Sequence, residues 1–167
     1  MRCPACDSPN PPGADACSKC HTPLTGLDAP VGHGPLESSL LNDPVSVLQP
    51  RPPVTISESA NLGEAIRAMI DTRVGAILVT GSDGTLVGIL TERDFLSRVA
   101  GKPGYEALPV AQFMTRTPEF VAPADLLAMA LGKMDVGGYR HLPVVQDGKP
   151  VGVISVRDVL RHLTTLE

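Results

Sequence analysis

The feature that most constrains the fold of this chain is an internal repeat that begins at Pro44. The stretch "PVSVLQPRPP" at Pro44 returns as "PVAQFMTRTP" at Pro109, an offset of 65 residues. Further on, "LVGILTERDFL" at Leu86 returns as "PVGVISVRDVL" at Pro150, an offset of 64 residues. The lost residue falls in the Asp-Gly turn of "TGSDGT", and turns tolerate length changes that strands do not. The chain therefore contains two copies of one structural unit.

Both copies have the same predicted order of elements. In the first copy, apolar residues at helical spacing from Leu62 to Ile70 predict one helix, and Asp94 to Val99 begin a second. Between these helices, "AILVT" and "LVGILT" predict two short buried strands. With a leading strand, each copy is β-α-β-β-α. About 55 residues cannot bury a sufficient core alone, so we expect an α+β fold in which the copies pack sheet to sheet about a pseudo-twofold axis.

The four cysteines form two pairs near the start of the chain. Cys3 and Cys6 form "CPAC", and Cys17 and Cys20 form "CSKC". Two C-x-x-C pairs can close four thiolates around one Zn²⁺, whose structural sites have four protein ligands. Covalent haem at "CSKCH" and disulfide pairing are the alternatives, and both belong to oxidising compartments. The spacing favours one zinc ion per chain, with these four cysteines as its ligands and His21 as a bystander.

This segment resembles the short zinc ribbons of many bacterial and archaeal proteins, which implies a metal-held tag without catalysis. The chain has 14 Lys and Arg against 18 Asp and Glu, a formal net charge of −4, and only 3% aromatic residues. This balance disfavours binding to nucleic acid, so we expect the ribbon to contact a protein partner.

The start "MRCPACDSPN" lacks a charged stretch leading into an apolar one. The longest apolar stretches fall far short of the roughly 20 residues that span a bilayer. We therefore expect a cytoplasmic protein without membrane contact. The predicted organisation is a zinc ribbon over residues 1–24 and a linker with one short helical turn over residues 25–43. The two copies follow over residues 44–105 and 106–167.

Two similar stretches stand where the last strand of each copy turns into a helix. In "TERD", Thr91 is a helix N-cap and Asp94 follows three residues later; in "SVRD", Ser155 and Asp158 have the same spacing. An N-cap hydroxyl followed by a carboxylate at the third helical position is typical of a capping box. Capping alone would explain these four residues.

Capping does not explain Arg93 and Arg157, which place a cation in the first turn of each helix. The helix dipole disfavours a cation there by about 0.3–1 kcal/mol, and a bound anion would reverse that sign. Backbone N–H groups, a hydroxyl and a guanidinium suit a phosphate, and an ionised Asp can accept hydrogen bonds from both hydroxyls of a ribose. Ligand binding and capping alone both remain open, with ligand binding favoured.

The repeat resembles a tandem pair of cystathionine beta-synthase (CBS) domains, a Bateman module, over about residues 44–165. "GTLVGILTERDFL" and "GKPVGVISVRDVL" carry the resemblance, supported by "YRHLPVV" and "FMTRTPEFV". The resemblance implies a regulatory module that binds adenine nucleotides, or S-adenosylmethionine in some members, in clefts between the two copies. It also implies a dimer.

Carried over by position, the resemblance implies roles for one set of residues. The two aspartates hold ribose, the two hydroxyl residues lie beside the ribose or phosphates, and the basic residues face phosphates. The implied nucleotide-binding residues are Thr91, Arg93, Asp94, Arg140, His141, Ser155, Arg157 and Asp158. Since Gly75 and Ala76 occupy the basic positions in the first copy, the cleft at Asp94 gathers three basic side chains and the cleft at Asp158 keeps one.

No enzyme is predicted. The cysteines are assigned to zinc, no Ser, His and acid constellation or glycine-rich phosphate loop is visible, and His162 is expected on the surface. Two function classes remain. The first is a regulatory, nucleotide-sensing homodimer that binds AMP, ADP or ATP between its repeats and contacts a protein through the ribbon. The second is a ligand-free dimeric scaffold, or an adaptor for nucleic acid or protein that acts through the ribbon.

Overall fold

The computed structural model describes residues 1–25 and 34–166 of the 167-residue chain. It has two compact units, Met1–His33 and Gly34–Glu167. Residues 26–33 of the predicted linker lie outside the described residues, and the domain boundaries drawn from the sequence stay a prediction.

The first unit is built from two equivalent turns, one for each cysteine pair. The N–H of Asp7 donates to the carbonyl of Cys3 at 2.9 Å, and the N–H of His21 donates to the carbonyl of Cys17 at 3.0 Å. Leu24 is buried together with Cys3 and Cys17. The two turns therefore bring both cysteine pairs to one small core.

Helix α1 (Pro35–Asn42) lies within the predicted linker and belongs to the second unit. Its Leu40 packs against the core of the second copy. The Oγ of Ser39 lies 3.0 Å from Nε2 of His162, and the carboxylate of Asp43 lies 3.5 Å from the same nitrogen. The expectation of a surface histidine is therefore wrong for His162, because α1 covers it.

The first copy has the predicted strand, helix, strand, strand, helix order. Helix α2 (Leu62–Thr72) begins at a capping box in which the side chains of Asn61 and Glu64 accept from each other's backbone N–H groups at 2.9 Å. The second helix begins at Glu92, directly after the predicted N-cap Thr91 and not at Asp94, and continues as a π-helix (Phe95–Val99). The elements are β1 (Thr55–Ser57), α2 (Leu62–Thr72), β2 (Ala76–Thr80), β3 (Leu86–Thr91) and α3 (Glu92–Asp94).

The second copy repeats this order except at its leading strand. That strand is reduced to one parallel bridge between Val121 and Val144, which matches the Ile56–Val79 pair of β1 and β2 at an offset of 65 residues. The elements are β4 (Thr115–Arg116), α4 (Leu127–Gly137), β5 (His141–Gln146), β6 (Lys149–Ser155) and α5 (Val156–Leu163).

The two copies exchange their leading segments. Strand β4 leads into the second copy but pairs with β3 of the first, with Arg116 opposite Gly88 and sheet order β1-β2-β3-β4. In return, Arg51 leads into the first copy and pairs with Val153 in β6. Each sheet is thus completed by backbone from the other copy, as a pseudo-twofold axis requires.

A glycine in the last strand of each copy makes room for the exchanged segment. A Cβ at Gly88 would overlap Sδ of Met114, and a Cβ at Gly152 would lie 2.6 Å from Cβ of Pro50. Neither contact is possible unless the neighbouring atoms move. The "VGI" and "VGV" sequences therefore reflect close packing between the copies.

Each copy buries its own core, and a third cluster lies where the sheets face each other. Leu62, Leu90 and Val110 are fully buried in the first core, and Leu127 and Leu142 in the second. In the third cluster, Val153 of the second copy packs against the buried Ala76, Leu78 and Ile89 of the first. The predicted α+β fold of two packed repeats is confirmed. In the described part of the chain, no helix has both the length and the apolar character needed to cross a bilayer.

Candidate functional site

The helix start of the first copy holds a compact hydrogen-bonded group. Oδ2 of Asp94 accepts from the N–H of Thr91 at 2.9 Å and from its hydroxyl at 2.7 Å. The N–H of Asp94 donates back to Oγ1 of Thr91 at 3.3 Å. The capping arrangement expected from "TERD" is therefore present.

The helix start of the second copy has the same contacts to the carboxylate. Oδ2 of Asp158 accepts from the N–H of Ser155 at 2.8 Å and from its hydroxyl at 2.6 Å. In both copies the cap uses one carboxylate oxygen. The other, Oδ1, faces an arginine at a distance too long for a hydrogen bond: 3.8 Å to Arg98 from Asp94, and 3.6 Å to Arg161 from Asp158. Oδ1 is thus the oxygen that can accept a ligand hydroxyl.

His141, at the start of β5, lies between the two copies. It pairs with Ser155 across the β5–β6 ladder. Its Cε1 lies 3.4 Å from the position that a Cβ on Gly75 would take, and Oε2 of Glu92 lies 3.4 Å from the same position. Burial lowers the pKa of His141, while the charges of Glu92 and Asp158 oppose that shift. The imidazole is therefore neutral at pH 7 and can gain a proton when an anion approaches.

The three predicted arginines are exposed to solvent: Arg93, Arg140 and Arg157. Across the described residues, none of the three takes part in an ion pair. Their guanidinium groups therefore remain available to an anion.

Three residues near the helix starts were missed by the sequence reasoning. Arg98 and Arg161 follow the aspartates by four and three residues, a helical spacing that predicts an ion pair. Glu92 has no such signal, because its contact at Gly75 depends on how the two copies pack.

Two cavities in the second unit are lined by residues outside the predicted set of eight. One, of about 430 Å³, lies beside the Asp-Gly turns and is bordered by Thr85, Phe120 and Asp147. The other, of about 550 Å³, lies between α2 and the π-helix and is bordered by Ile70, Phe95 and Leu96. None of the eight predicted residues lines either of these two cavities.

The four cysteine sulfurs of the first unit converge, as their spacing predicts. All four Sγ atoms lie within 4.8 Å of one another, with 3.5 Å between Cys3 and Cys20 and 3.6 Å between Cys6 and Cys17. A tetrahedral site with Zn–S bonds of about 2.3 Å has sulfur atoms about 3.8 Å apart. A disulfide needs about 2.05 Å, and all four thiols are free. The donor set fits zinc.

The surroundings of the sulfurs also favour a cation. Backbone N–H groups of Cys20 and Lys19 lower the pKa of Cys17 to about 5, whereas burial raises the pKa of Cys3 to about 11. Nδ2 of Asn10 donates to Sγ of Cys17 at 3.6 Å. Cys17 is thus a thiolate at neutral pH, and a bound cation would favour ionisation of the other three thiols.

A comparison with protein families assigns the second unit. The model of the CBS domain matches residues 46–101 and, a second time, residues 110–165. The chain belongs to the CBS domain family. The two matched segments coincide with the two structural copies, so the chain carries a CBS pair.

Individual CBS proteins show the same relationship. The CBS domain-containing protein CBSCBSPB5 of Arabidopsis thaliana is 40% identical over 108 residues, which cover 64% of this chain and 20% of the relative. The chain thus spans about a fifth of the length of that relative.

Two solved structures of CBS proteins have the same fold as the second unit. A CBS domain protein from Pyrobaculum aerophilum complexed with AMP is 32% identical, with a TM-score of 0.65 over 73% of this chain and 98% of that chain. A CBS-domain containing protein from Agrobacterium tumefaciens is 30% identical, with a TM-score of 0.64 over 71% of this chain and 94% of that chain.

Proposed function

We propose that this CBS pair is a regulatory module that binds an adenine nucleotide, AMP, ADP or ATP, in the clefts between its repeats. The observation that carries the proposal is the duplicated helix start, where the cap holds each aspartate rigidly and leaves Oδ1 without a hydrogen bond. The AMP complex of the Pyrobaculum aerophilum relative supports it.

In this proposal each aspartate does two things at once. Oδ2 of Asp94 or Asp158 stays on the cap, and Oδ1 accepts hydrogen bonds from the ribose hydroxyls. Thr91 and Ser155 fix the carboxylate, because their N–H and O–H groups both donate to Oδ2. The ribose would therefore meet a preorganised acceptor, which lowers the entropic cost of binding.

The phosphates are assigned to the basic residues around the helix starts. Arg93, Arg140 and Arg157 are exposed and can reorient at little cost. His141 is held neutral by burial and gains a proton as a phosphate approaches. The role is regulatory, since the proposed residues bind and orient a ligand and none is assigned a chemical step.

The first unit is proposed to hold one zinc ion on Cys3, Cys6, Cys17 and Cys20 and to contact a protein partner. The metal would stabilise the fold of a segment whose core contains little more than the buried residues Cys3, Cys17 and Leu24. With the net charge of −4, a protein is the favoured partner over nucleic acid.

The second unit is proposed to form a homodimer through its helices. Leu96 on the π-helix is 77% exposed, and Leu160 on α5, its counterpart in the second copy, is 58% exposed. Leu96 also borders the cavity of about 550 Å³ between α2 and the π-helix. Two equivalent exposed leucines give each chain two apolar patches that a second copy can cover.

The proposed function is tested by calorimetric titration of the full chain with AMP, ADP, ATP and S-adenosylmethionine. A charge-assisted hydrogen bond contributes about 1.5–3 kcal/mol, so Arg140→Ala should weaken AMP binding by about ten- to a hundredfold. Asp94→Asn and Asp158→Asn report on the two clefts separately. Asp71→Asn, an exposed acid on α2, is the matched control and should bind like the wild type.

The titration also separates the two function classes. A ligand of the folded state raises the thermal midpoint by an amount set by its concentration and affinity. Binding that the cleft variants weaken and the control does not would support the regulatory module. If none of the four compounds binds or raises the midpoint, the proposed nucleotide-binding function is wrong, and the ligand-free dimeric scaffold is the function that the result favours.

A further inference from the structure

The acid Glu92 stands at the point where the two copies meet. It is the first residue of α3, and its counterpart in the second copy is Val156. Its Oε2 lies 3.4 Å from the position of a Cβ on Gly75, and Cε1 of His141 lies at the same distance from that position. A carboxylate of the first copy and an imidazole of the second therefore face each other across the space that Gly75 leaves open.

We call this point the junction and define it by Gly75, Glu92, His141 and Asp158. Glu92 and Asp158 both act on His141 through their charges, and Arg140 acts in the opposite sense. In the described part of the chain, Glu92 has no ion pair within 4.0 Å. Its carboxylate is thus free to act on a ligand.

The junction adjoins both helix starts. Glu92 directly follows Thr91, whose hydroxyl holds Asp94, and its N–H donates to the carbonyl of Gly75 at 3.1 Å. His141 pairs with Ser155, whose hydroxyl holds Asp158. In the proposed binding mode, a group attached to the 5′ carbon of a ribose held at a helix start would lie beside the carboxylate of Glu92.

We propose that Glu92 determines the charge preference of the cleft, on the basis of the proposed function that an adenine ligand binds there. Its carboxylate repels a negatively charged 5′ group and attracts a positively charged one. The charge of Glu92 lowers the affinity of the cleft for phosphorylated adenine ligands. It raises the affinity for a ligand with a cationic 5′ group. Adenosine, whose 5′ group is neutral, is insensitive to Glu92.

The proposal predicts opposite changes for two classes of ligand when the charge is removed. In the variant Glu92→Gln, AMP should bind about three- to tenfold more tightly and ATP at least as much, since a partly exposed pair of charges is screened by solvent. S-adenosylmethionine, whose sulfonium replaces the phosphate, should bind more weakly by a similar factor. Adenosine should change by less than about twofold.

The experiment is calorimetric titration of the full chain with adenosine, AMP, ATP and S-adenosylmethionine at low ionic strength. Glu58→Gln is the matched control, because Glu58 is exposed and its N–H bonds Thr80 at the opposite end of β2. The reciprocal variant is Val156→Glu, which places a carboxylate at the equivalent position and should weaken AMP binding. Thermal unfolding of each variant checks that the fold is intact.

Each outcome decides the proposal. Tighter AMP and weaker S-adenosylmethionine binding in Glu92→Gln alone would support it. Parallel changes in both ligands, an equal change for adenosine, or the same effect in Glu58→Gln would overturn it while leaving the proposed function intact. If the wild type and every variant bind none of the four ligands, the proposed function fails and this inference fails with it.

Discussion

At the scale of single residues, the same carboxylate supports structure and proposed ligand binding. The sequence suggested that Asp94 and Asp158 either cap a helix or bind ribose. The capping hydrogen bonds to Oδ2 are present in both copies, and Oδ1 is left without one. The two interpretations are therefore compatible, since each uses a different oxygen.

The prediction at the cysteine cluster concerns metal content. Cys3→Ser and Cys20→Ser should each lose the one zinc ion per chain, because three thiolates no longer complete the tetrahedron. His21→Ala should retain it, since His21 is outside the cluster of four sulfurs. Elemental analysis by mass spectrometry measures the zinc. Iron in the wild type, or a haem absorption band, would contradict this assignment.

The cysteine variants also test the independence of the two units. Since Met1–His33 and Gly34–Glu167 are separate compact units, the main thermal transition should keep its midpoint in Cys3→Ser. A lower midpoint would show that the ribbon stabilises the CBS pair.

At the scale of elements, the exchanged segments explain why both copies need a glycine in the last strand. Gly88 faces the flexible side chain of Met114, whereas Gly152 faces the ring of Pro50. A methionine can move aside by changing rotamer, and a proline ring cannot. The two glycines thus differ in how well they tolerate a methyl group.

Gly152→Ala should therefore destabilise the second unit by about 1–3 kcal/mol, the usual cost of overpacking. Gly88→Ala should cost less than Gly152→Ala. Gly132→Ala is the matched control, because Gly132 lies inside α4 and, apart from the backbone of that helix and its chain neighbours, no atom of the described residues lies within 4 Å of its Cβ position. Alanine favours a helix interior, so this control should stabilise by about 0.5–1 kcal/mol. Urea unfolding of the three variants gives the comparison, and equal losses at Gly88 and Gly152 would refute it.

Much of this element pattern follows from the sequence. The features that the sequence does not predict are contacts between the two copies. The repeat offset, the Asp-Gly turns and the helical stripe from Leu62 predicted the element order of each copy. The pairing of Thr115–Arg116 with β3 could not be predicted, since two exposed residues carry no periodicity. The junction at Glu92 was missed because it depends on packing between the copies.

At the scale of the whole molecule, the exposed apolar residues on the helices require an explanation. Leu96 and Leu160 occupy equivalent positions and are both exposed, so a solvated monomer would present two such patches. A second chain related by a twofold axis would cover them together. Leu96 and Leu160 are therefore the surface that we propose for the homodimer.

The corresponding prediction is that Leu96→Lys and Leu160→Lys weaken the dimer. Burying a lysine charge opposite an apolar surface is costly, so the dissociation constant should rise by about a hundredfold or more. Val151→Lys, an exposed apolar residue on β6, is the control and should remain dimeric. Sedimentation velocity over a range of concentrations measures the state. A monomeric wild type, or dimers in both leucine variants, would contradict the prediction.

The exchange of leading segments has a consequence for synthesis on the ribosome. The first repeat is translated before Thr115 and Arg116, the residues that pair with β3. Until they emerge, the nascent first repeat exposes an open β edge at β3, and the apolar face formed by Ala76, Leu78 and Ile89 stays uncovered until Val153 has emerged as well. On a crowded polysome, that edge can be completed by the corresponding segment of a neighbouring nascent chain. The interval between the emergence of β3 and the emergence of Thr115 and Arg116 therefore sets how long each chain is open to intermolecular strand exchange.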